Sequence, residues 1–312
     1  KANRIVILSH RHPDGDTIGA NLGLRFALEH MGKSVASACV DPLPENSLFL
    51  KGADSFVNDF QPENFDAFAS VDCGAHYMTR FHEKYPEILP REQERLGKKK
   101  TPFVNIDHHA SNDFFGTVNI VDPEAASATQ IVYRFLNFLH SPIDRDIATA
   151  LLHGLYFDTG SFMHSNVTPE VLRVASELMW KGADFRTIVK KQFRTAPIRQ
   201  LKLWGRIFNR ISVTPKKLTR SYVLQQDYLE CNAKPEDTTG AIDYLNTIPE
   251  GRFSSLLSQD GDGQLKGSFR TRDDSIDLSK LAGLLGGGGH KKAAGFSVPG
   301  DLVQDGETIK IV

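Results

Sequence analysis

The sequence predicts an α/β fold: a parallel-sheet domain, then a second, smaller mixed α/β domain, with an active-site cleft between them. Three observations predict it. Short β-branched runs alternate with helical stretches up to about residue 185. The texture turns strand-rich after about residue 204. Acidic and imidazole side chains recur directly after the predicted strands of the first part. Strand–helix alternation implies a parallel sheet covered on both faces, and such sheets bind ligands at their carboxyl edge. The expected divisions are 1–185, a helical connection at 186–204, and 205–312.

Residues 4–9 (RIVILS) read as a buried strand, followed by the polar loop HRHPDGD. A helix is expected over 17–31, with Ile18, Leu22 and Phe26 on one face and Gly32 ending it. Further strands are expected at 34–40, 66–71 and 102–106, with helical segments between them, including the charged stretch around 90–100. Helices follow at 127–139, 147–156 and 169–181, the last with Pro169 in its first turn. The segment 184–204 is helical and basic and breaks at Pro197. Strands are then expected at 207–213, 220–226, 253–259 and 265–271, the last two joined through the hairpin turn DGDG at 260–263. A helix at 278–285 leads into GGGGH and the strand AGFSV.

The 312 residues are 40% hydrophobic and 24% charged, with a net charge of -1. That balance excludes a broad basic face for long duplex nucleic acid but leaves room for a local phosphate pocket. Cys39, Cys73 and Cys231 lack finger spacing, which points to a reducing, cytoplasmic setting. There is no membrane-length apolar run and no signal peptide. A strand begins almost at Lys1, so a few native residues are expected before it.

The chemistry-bearing residues are His10, Asp14 and Asp16 in H-x-x-P-D-G-D, Asp72 in VDCG, the triplet Asp107-His108-His109, and Asp158 in the turn YFDTGS. Mixed imidazole and carboxylate donors suit Mn²⁺, Fe²⁺, Co²⁺ or Zn²⁺. Six such side chains already exceed one structural zinc site and fit two ions about 3.5–4 Å apart. Asp14, Asp16, Asp72 and Asp158 bring four negative charges together, which two divalent cations offset.

These motifs, in this order, resemble the DHH phosphoesterase superfamily over nearly the whole chain. The resemblance implies one metal on His10, Asp14 and Asp72, and a second on Asp16, Asp72, His108 and Asp158, with Asp72 bridging. It implies that His109 either supports the metal ligands or faces the substrate, and that Asp107 orients the histidines. In the second domain, Gly267-Ser268-Phe269-Arg270 and the run Gly286 to His290 resemble the nanoRNase and pAp-phosphatase branch. Arg270, His290, Ser268, Gly288 and Gly289 are then expected to hold a substrate phosphate, through backbone N–H groups and a bidentate guanidinium. Ser165 and Asn166 are candidates for nucleotide contact.

The implied function is two-metal hydrolysis of short RNA, with activity on pAp; Mn²⁺ is the expected ion, with Mg²⁺ or Co²⁺ as alternatives. The rivals are a cyclic or linear dinucleotide phosphodiesterase, a RecJ-type exonuclease, a family II pyrophosphatase and an inert nucleotide-binding module. A homodimer is compatible with the resemblance. His12, His76, His82, His140 and His153 read as structural or exposed, Trp180 and Trp204 as packing residues, and Arg194 and Arg199 as facing the cleft.

Overall fold

The computed structural model describes residues 2–97, 100–193, 196–259, 263–305 and 308–311. The turn at 260–262, Lys98, Lys99 and Arg194 lie outside the described residues. The chain forms two compact units, Lys1–Thr195 and Ala196–Val312.

The first unit runs β1 (Arg4–Leu8), α1 (Gly15–His30), β2 (Ser34–Ala38), β3 (Ala67–Val71), α2 (Phe81–Lys84), α3 (Pro90–Arg95), β4 (Phe103–Asp107), β5 (Val118–Val121), α4 (Ala128–Phe138), α5 (Arg145–Asp158), α6 (Pro169–Trp180) and α7 (Phe185–Phe193). Its five strands are all parallel, in the order β2-β1-β3-β4-β5. The chain leaves β1 to one side for β2 and returns to its other side for β3. A crevice opens at such a reversal, outside the strands' carboxyl ends. His10 and Asp72 follow the two strands that flank it.

Side chains alternate across the pleat. Ile7, Ala69, Val71 and Ile106 face a core shared with α1, α4, α5 and α6. Val6, Leu8, Phe68 and Phe103 face a second core with Phe60, Phe81, Tyr85 and Ile88. Helix α1 is buried nearly all round over residues 15–24, more than the single apolar face expected. Its Gly15, Gly19 and Gly23 lie against α5, where a Cβ on Gly19 would stand 2.3 Å from the Ala150 carbonyl oxygen. Helix α5 is thus held at backbone contact, and its C-terminal Asp158 comes to the same edge as the N-terminus of α1.

The second unit runs α8 (Ile198–Asn209), β6 (Ser212–Val213), β7 (Leu218–Val223), α9 (Gln225–Cys231), α10 (Ala241–Leu245), β8 (Phe253–Gln259), β9 (Gln264–Thr271), α11 (Leu278–Gly283), β10 (Gly288–Gly289), β11 (Ala293–Pro299), β12 (Leu302–Asp305) and β13 (Thr308–Ile311). Its main sheet has the order β10-β11-β9-β8-β7-β6, with β7 and β8 parallel and the other pairs antiparallel. Leu203 and Ile207 of α8 pack against Val223, Leu245 and Leu256.

Several expectations change here. The strand expected at 207–213 is the end of α8 plus two residues of β6, because Leu203 and Ile207 share one buried helical face. The segment 184–204 divides at Pro197 into α7, in the first unit, and α8, in the second. Trp180 is 88% exposed, whereas Trp204 packs on Phe208 and Tyr244. Arg199 pairs with Asp237 at 2.9 Å. The three cysteines are free and buried. Among the described residues no helix is long and apolar enough to cross a membrane.

Candidate metal centre

Asp14 precedes α1 and caps it, its Oδ1 accepting from the backbone N–H groups of Asp16 (2.9 Å) and Thr17 (3.2 Å). Asp16, in the first turn of α1, is fully buried. It accepts from the N–H of Ala128 (2.6 Å) and from both the N–H (3.0 Å) and the hydroxyl (2.8 Å) of Thr129. Those groups open α4, whose helix dipole favours the negative charge. Asp158 is the last residue of α5 rather than part of a turn, a correction to the expected boundary.

Two donor groups assemble: His10, Asp14 and Asp72, and Asp16, His108 and Asp158. His10 Nε2 lies 3.8 Å from Asp14 Oδ1 and 3.4 Å from Asp72 Oδ2. His108 Nε2 lies 3.3 Å from Asp158 Oδ2, 3.4 Å from Asp72 Oδ1 and 3.9 Å from Asp16 Oδ2. Asp72 therefore turns one carboxylate oxygen toward each group. Its backbone sits in the left-handed region at φ 58°, a sparsely populated conformation for a non-glycine residue.

The residues fit a pair of divalent ions. Asp72 Oδ1 is buried and has no hydrogen-bond partner, an orphan that a cation satisfies. Donors on an ion at about 2.1 Å stand roughly 3–3.5 Å from one another, close to the spacings here. The Nδ1 atoms of His10 and His108 face the carbonyls of Arg11 (2.8 Å) and Ala125 (3.4 Å), which directs each Nε2 inward. Metal-binding histidines are commonly held this way.

Without cations the acids and imidazoles must share protons. Burial and the Asp72 charge push the Asp16 carboxyl up to about 7. Burial and the Asp16 charge likewise raise Asp158. Burial opposes the charged form of His10, but Asp14 and Asp72 outweigh it and raise its pKa well above the usual value. His108 is raised in the same way, against burial, by Asp72, Asp158 and Asp16. Burial opposes ionisation of Asp72, yet His10 and His108 lower its pKa.

A pH-dependent cost of metal removal follows. Each raised group favours the folded state below its unfolded pKa, and that contribution is lost as pH rises through the folded value. Burial lowers His153 to about 4, so it is neutral in both states above pH ~6.5 and does not offset the trend. The melting temperature of EDTA-treated protein is expected to fall as pH rises above ~6.5. The gap to protein reloaded with Mn²⁺ should widen over the same range. A gap that narrows as pH rises would count against this cluster as the metal centre.

His109 is bound through Nδ1 to Oδ1 of the fully buried Asp107 at 2.7 Å, and its Nδ1 stands 3.7 Å from Asp72 Oδ1. His12 is exposed, with its backbone N–H held by Asp41 at 2.8 Å. Ser165 is exposed. Asn166 turns inward, its Nδ2 donating to the carbonyls of Ala126 (3.1 Å) and Asp158 (3.2 Å). In the second unit Arg270 and Ser268 line a cavity of about 200 Å³ with Thr238, Thr239 and Ser258. Arg270 Nε reaches Asp243 Oδ1 at 3.2 Å. Gly288 and Gly289 pair with Gly295 and Ala294 as β10, and His290 follows, exposed, with its backbone N–H on the Ala293 carbonyl (2.7 Å). Two contributors escaped the sequence reading: Thr129, which has no local signal, and Asn112, three residues beyond the triplet.

The model of the DHH family, N-terminal domain, matches residues 4–155, and that of the DHHA1 domain matches residues 221–308. The chain is 32% identical to the bifunctional oligoribonuclease and PAP phosphatase NrnA of Thermus thermophilus, over 98% of this chain and 87% of that relative. The chain belongs to the DHH family. This DHH-family chain is also 25% identical to the NrnA of Bacillus subtilis, over 94% of its own length and 89% of the relative's. An exopolyphosphatase-related protein from Bacteroides fragilis shares its fold, with a TM-score of 0.83 and 24% identity over 95% of this chain and 87% of that one. Phosphoesterases of the DHH family depend on divalent metals, in keeping with the acidic cluster.

Proposed function

We propose that this DHH-family enzyme hydrolyses phosphoester bonds in short oligoribonucleotides and pAp-type nucleotides, using two Mn²⁺ ions. The observation that carries the reading is Asp72, whose two oxygens face two separate donor groups. His10, Asp14 and Asp72 would hold one ion; Asp16, Asp72, His108 and Asp158 would hold the other. When bound, the ions supply Lewis-acid stabilisation of phosphate oxygens and an acidified water. Asp107 holds the His109 ring toward the same edge. In the second unit Arg270 and Ser268, beside their cavity, together with His290 and the backbone of Gly288 and Gly289, take a substrate phosphate. The names of the Thermus and Bacillus relatives support the substrate class.

A Mn²⁺-supplemented assay comparing an RNA dinucleotide, a 20-nucleotide RNA, pAp, a cyclic dinucleotide and pyrophosphate tests the proposal. The dinucleotide and pAp are expected to be cleaved preferentially. Preference for pyrophosphate, a cyclic dinucleotide or the long strand would overturn the substrate assignment. In the same assay Arg270→Ala is expected to raise KM about tenfold or more, since it removes a charge-assisted phosphate contact, without loss of bound metal. Unchanged kinetics would remove Arg270 from the substrate site.

A further inference from the structure

We propose that Asn112 is a positioning residue for His109, acting through Asp107. The inference rests on the phosphoesterase reading of this site. Asp107 is fully buried at the end of β4, and its oxygens have different partners. Oδ1 faces His109 Nδ1 at 2.7 Å, and Oδ2 accepts from Asn112 Nδ2 at 2.6 Å. Asn112 is itself held from two sides. Its Nδ2 also donates to the Cys73 carbonyl at 3.2 Å, next to Asp72, and its Oδ1 accepts from the Phe114 N–H at 2.7 Å. The amide cannot rotate without losing both kinds of bond.

The consequence for His109 follows from donor and acceptor inventory. An ionised carboxylate only accepts, so both its partners must donate. The Asn112 amide supplies a donor at Oδ2, and His109 must then carry its proton on Nδ1 to supply the other. This assigns the chemistry of His109 to Nε2. Without the amide, Oδ2 is a buried acceptor lacking its partner, a costly state that the carboxylate relieves by turning toward another donor. A carboxylate turned away from Nδ1 no longer holds the imidazole, which loses the contact that fixes its tautomer and ring plane. The same amide, through its bond to the Cys73 carbonyl, ties the loop after β4 to the loop after β3, so the ring is oriented relative to Asp72.

The test is Asn112→Leu, which keeps nearly the same shape and removes the donor without adding a charge. Turnover of the Mn²⁺-loaded enzyme on the RNA dinucleotide is expected to fall by about 30–100-fold, with KM within threefold and both ions retained by elemental analysis. A kcat within threefold of wild type would overturn the proposal. So would activity lost only in proportion to lost metal, because Asn112 would then serve the Asp72 loop alone. Should the variant fail to fold, the ¹⁵N shifts of His109 in Mg²⁺-loaded wild type decide the matter. Protonation at Nδ1 is expected, and a bare Nδ1 with protonated Nε2 would overturn it. Wild-type protein inert toward every phosphoester would defeat the functional reading, whereas comparing the His109 tautomer in wild type and in the Asn112 variant would still test the positioning role.

Discussion

Asp72→Asn is expected to lower turnover by at least about a thousandfold, equivalent to about 4 kcal/mol of transition-state stabilisation. The substitution preserves volume, and asparagine tolerates the left-handed backbone at this position better than most residues. What changes is charge and donor type. The wild-type carboxylate sets one oxygen 3.4 Å from His10 Nε2 and the other 3.4 Å from His108 Nε2. An amide can offer an oxygen to only one of the two groups. The other group meets an NH₂, which cannot ligate a cation and points a donor at the ion's place. Bound metal should fall from two ions per chain toward one, measured by elemental analysis beside kcat. A variant that keeps both ions and turnover within tenfold would falsify the bridging assignment.

The largest effect on stability is expected at Gly19. A methyl there would stand 2.3 Å from the Ala150 carbonyl oxygen and 3.1 Å from the Gly154 nitrogen. The obstacle is backbone, which no rotamer change clears, so α1 and α5 must separate. Overpacking of this kind costs about 3 kcal/mol, or roughly 6–12 °C in melting temperature for a unit of this size. Activity should fall as well, because Asp16 and Asp158 sit on the two helices being pushed apart. Gly205→Ala is the matched control. It lies inside α8, and an added Cβ there meets nothing within 4 Å. It should raise the melting temperature slightly, by helix propensity worth up to about 1 kcal/mol. Equal effects from the two substitutions would refute the backbone-contact argument.

The strands that carry His10, Asp72 and the triplet were legible because each is a short apolar run ending in a polar loop. The first helix was legible too, but not its burial. Gly15, Gly19 and Gly23 read as neutral positions until α5 is seen lying on them. Strand β5 (VNIV) was missed, since four partly exposed residues, one of them Asn119, carry too little pattern. Ile207 and Ile211 suggested a strand, yet the four-residue spacing of Leu203 and Ile207 buries a helical face. In the candidate metal centre the side chains that cluster could be picked out in the sequence, but not their supports. Asp16 is clamped by Ala128, 112 positions away, and no local window holds that bond. Asp107 and His109 showed themselves as a motif, whereas Asn112 looks like any loop asparagine until its amide is found on Asp107.

The strand order β2-β1-β3-β4-β5 also has a kinetic side. The proposed donors enter the chain at His10 and are complete only at Asp158, and apart from the neighbours His10 and Asp14 those that meet come from elements far apart in sequence. No early local piece of chain holds a whole coordination sphere. Closing such long loops is entropically slow, so the sphere completes near the end of folding, after its structural cost has been met. Interactions absent from the transition state act on escape from the native state rather than on entry to it. Cations bound here would therefore work as a latch: they prolong the lifetime of the folded chain and leave its rate of formation nearly untouched.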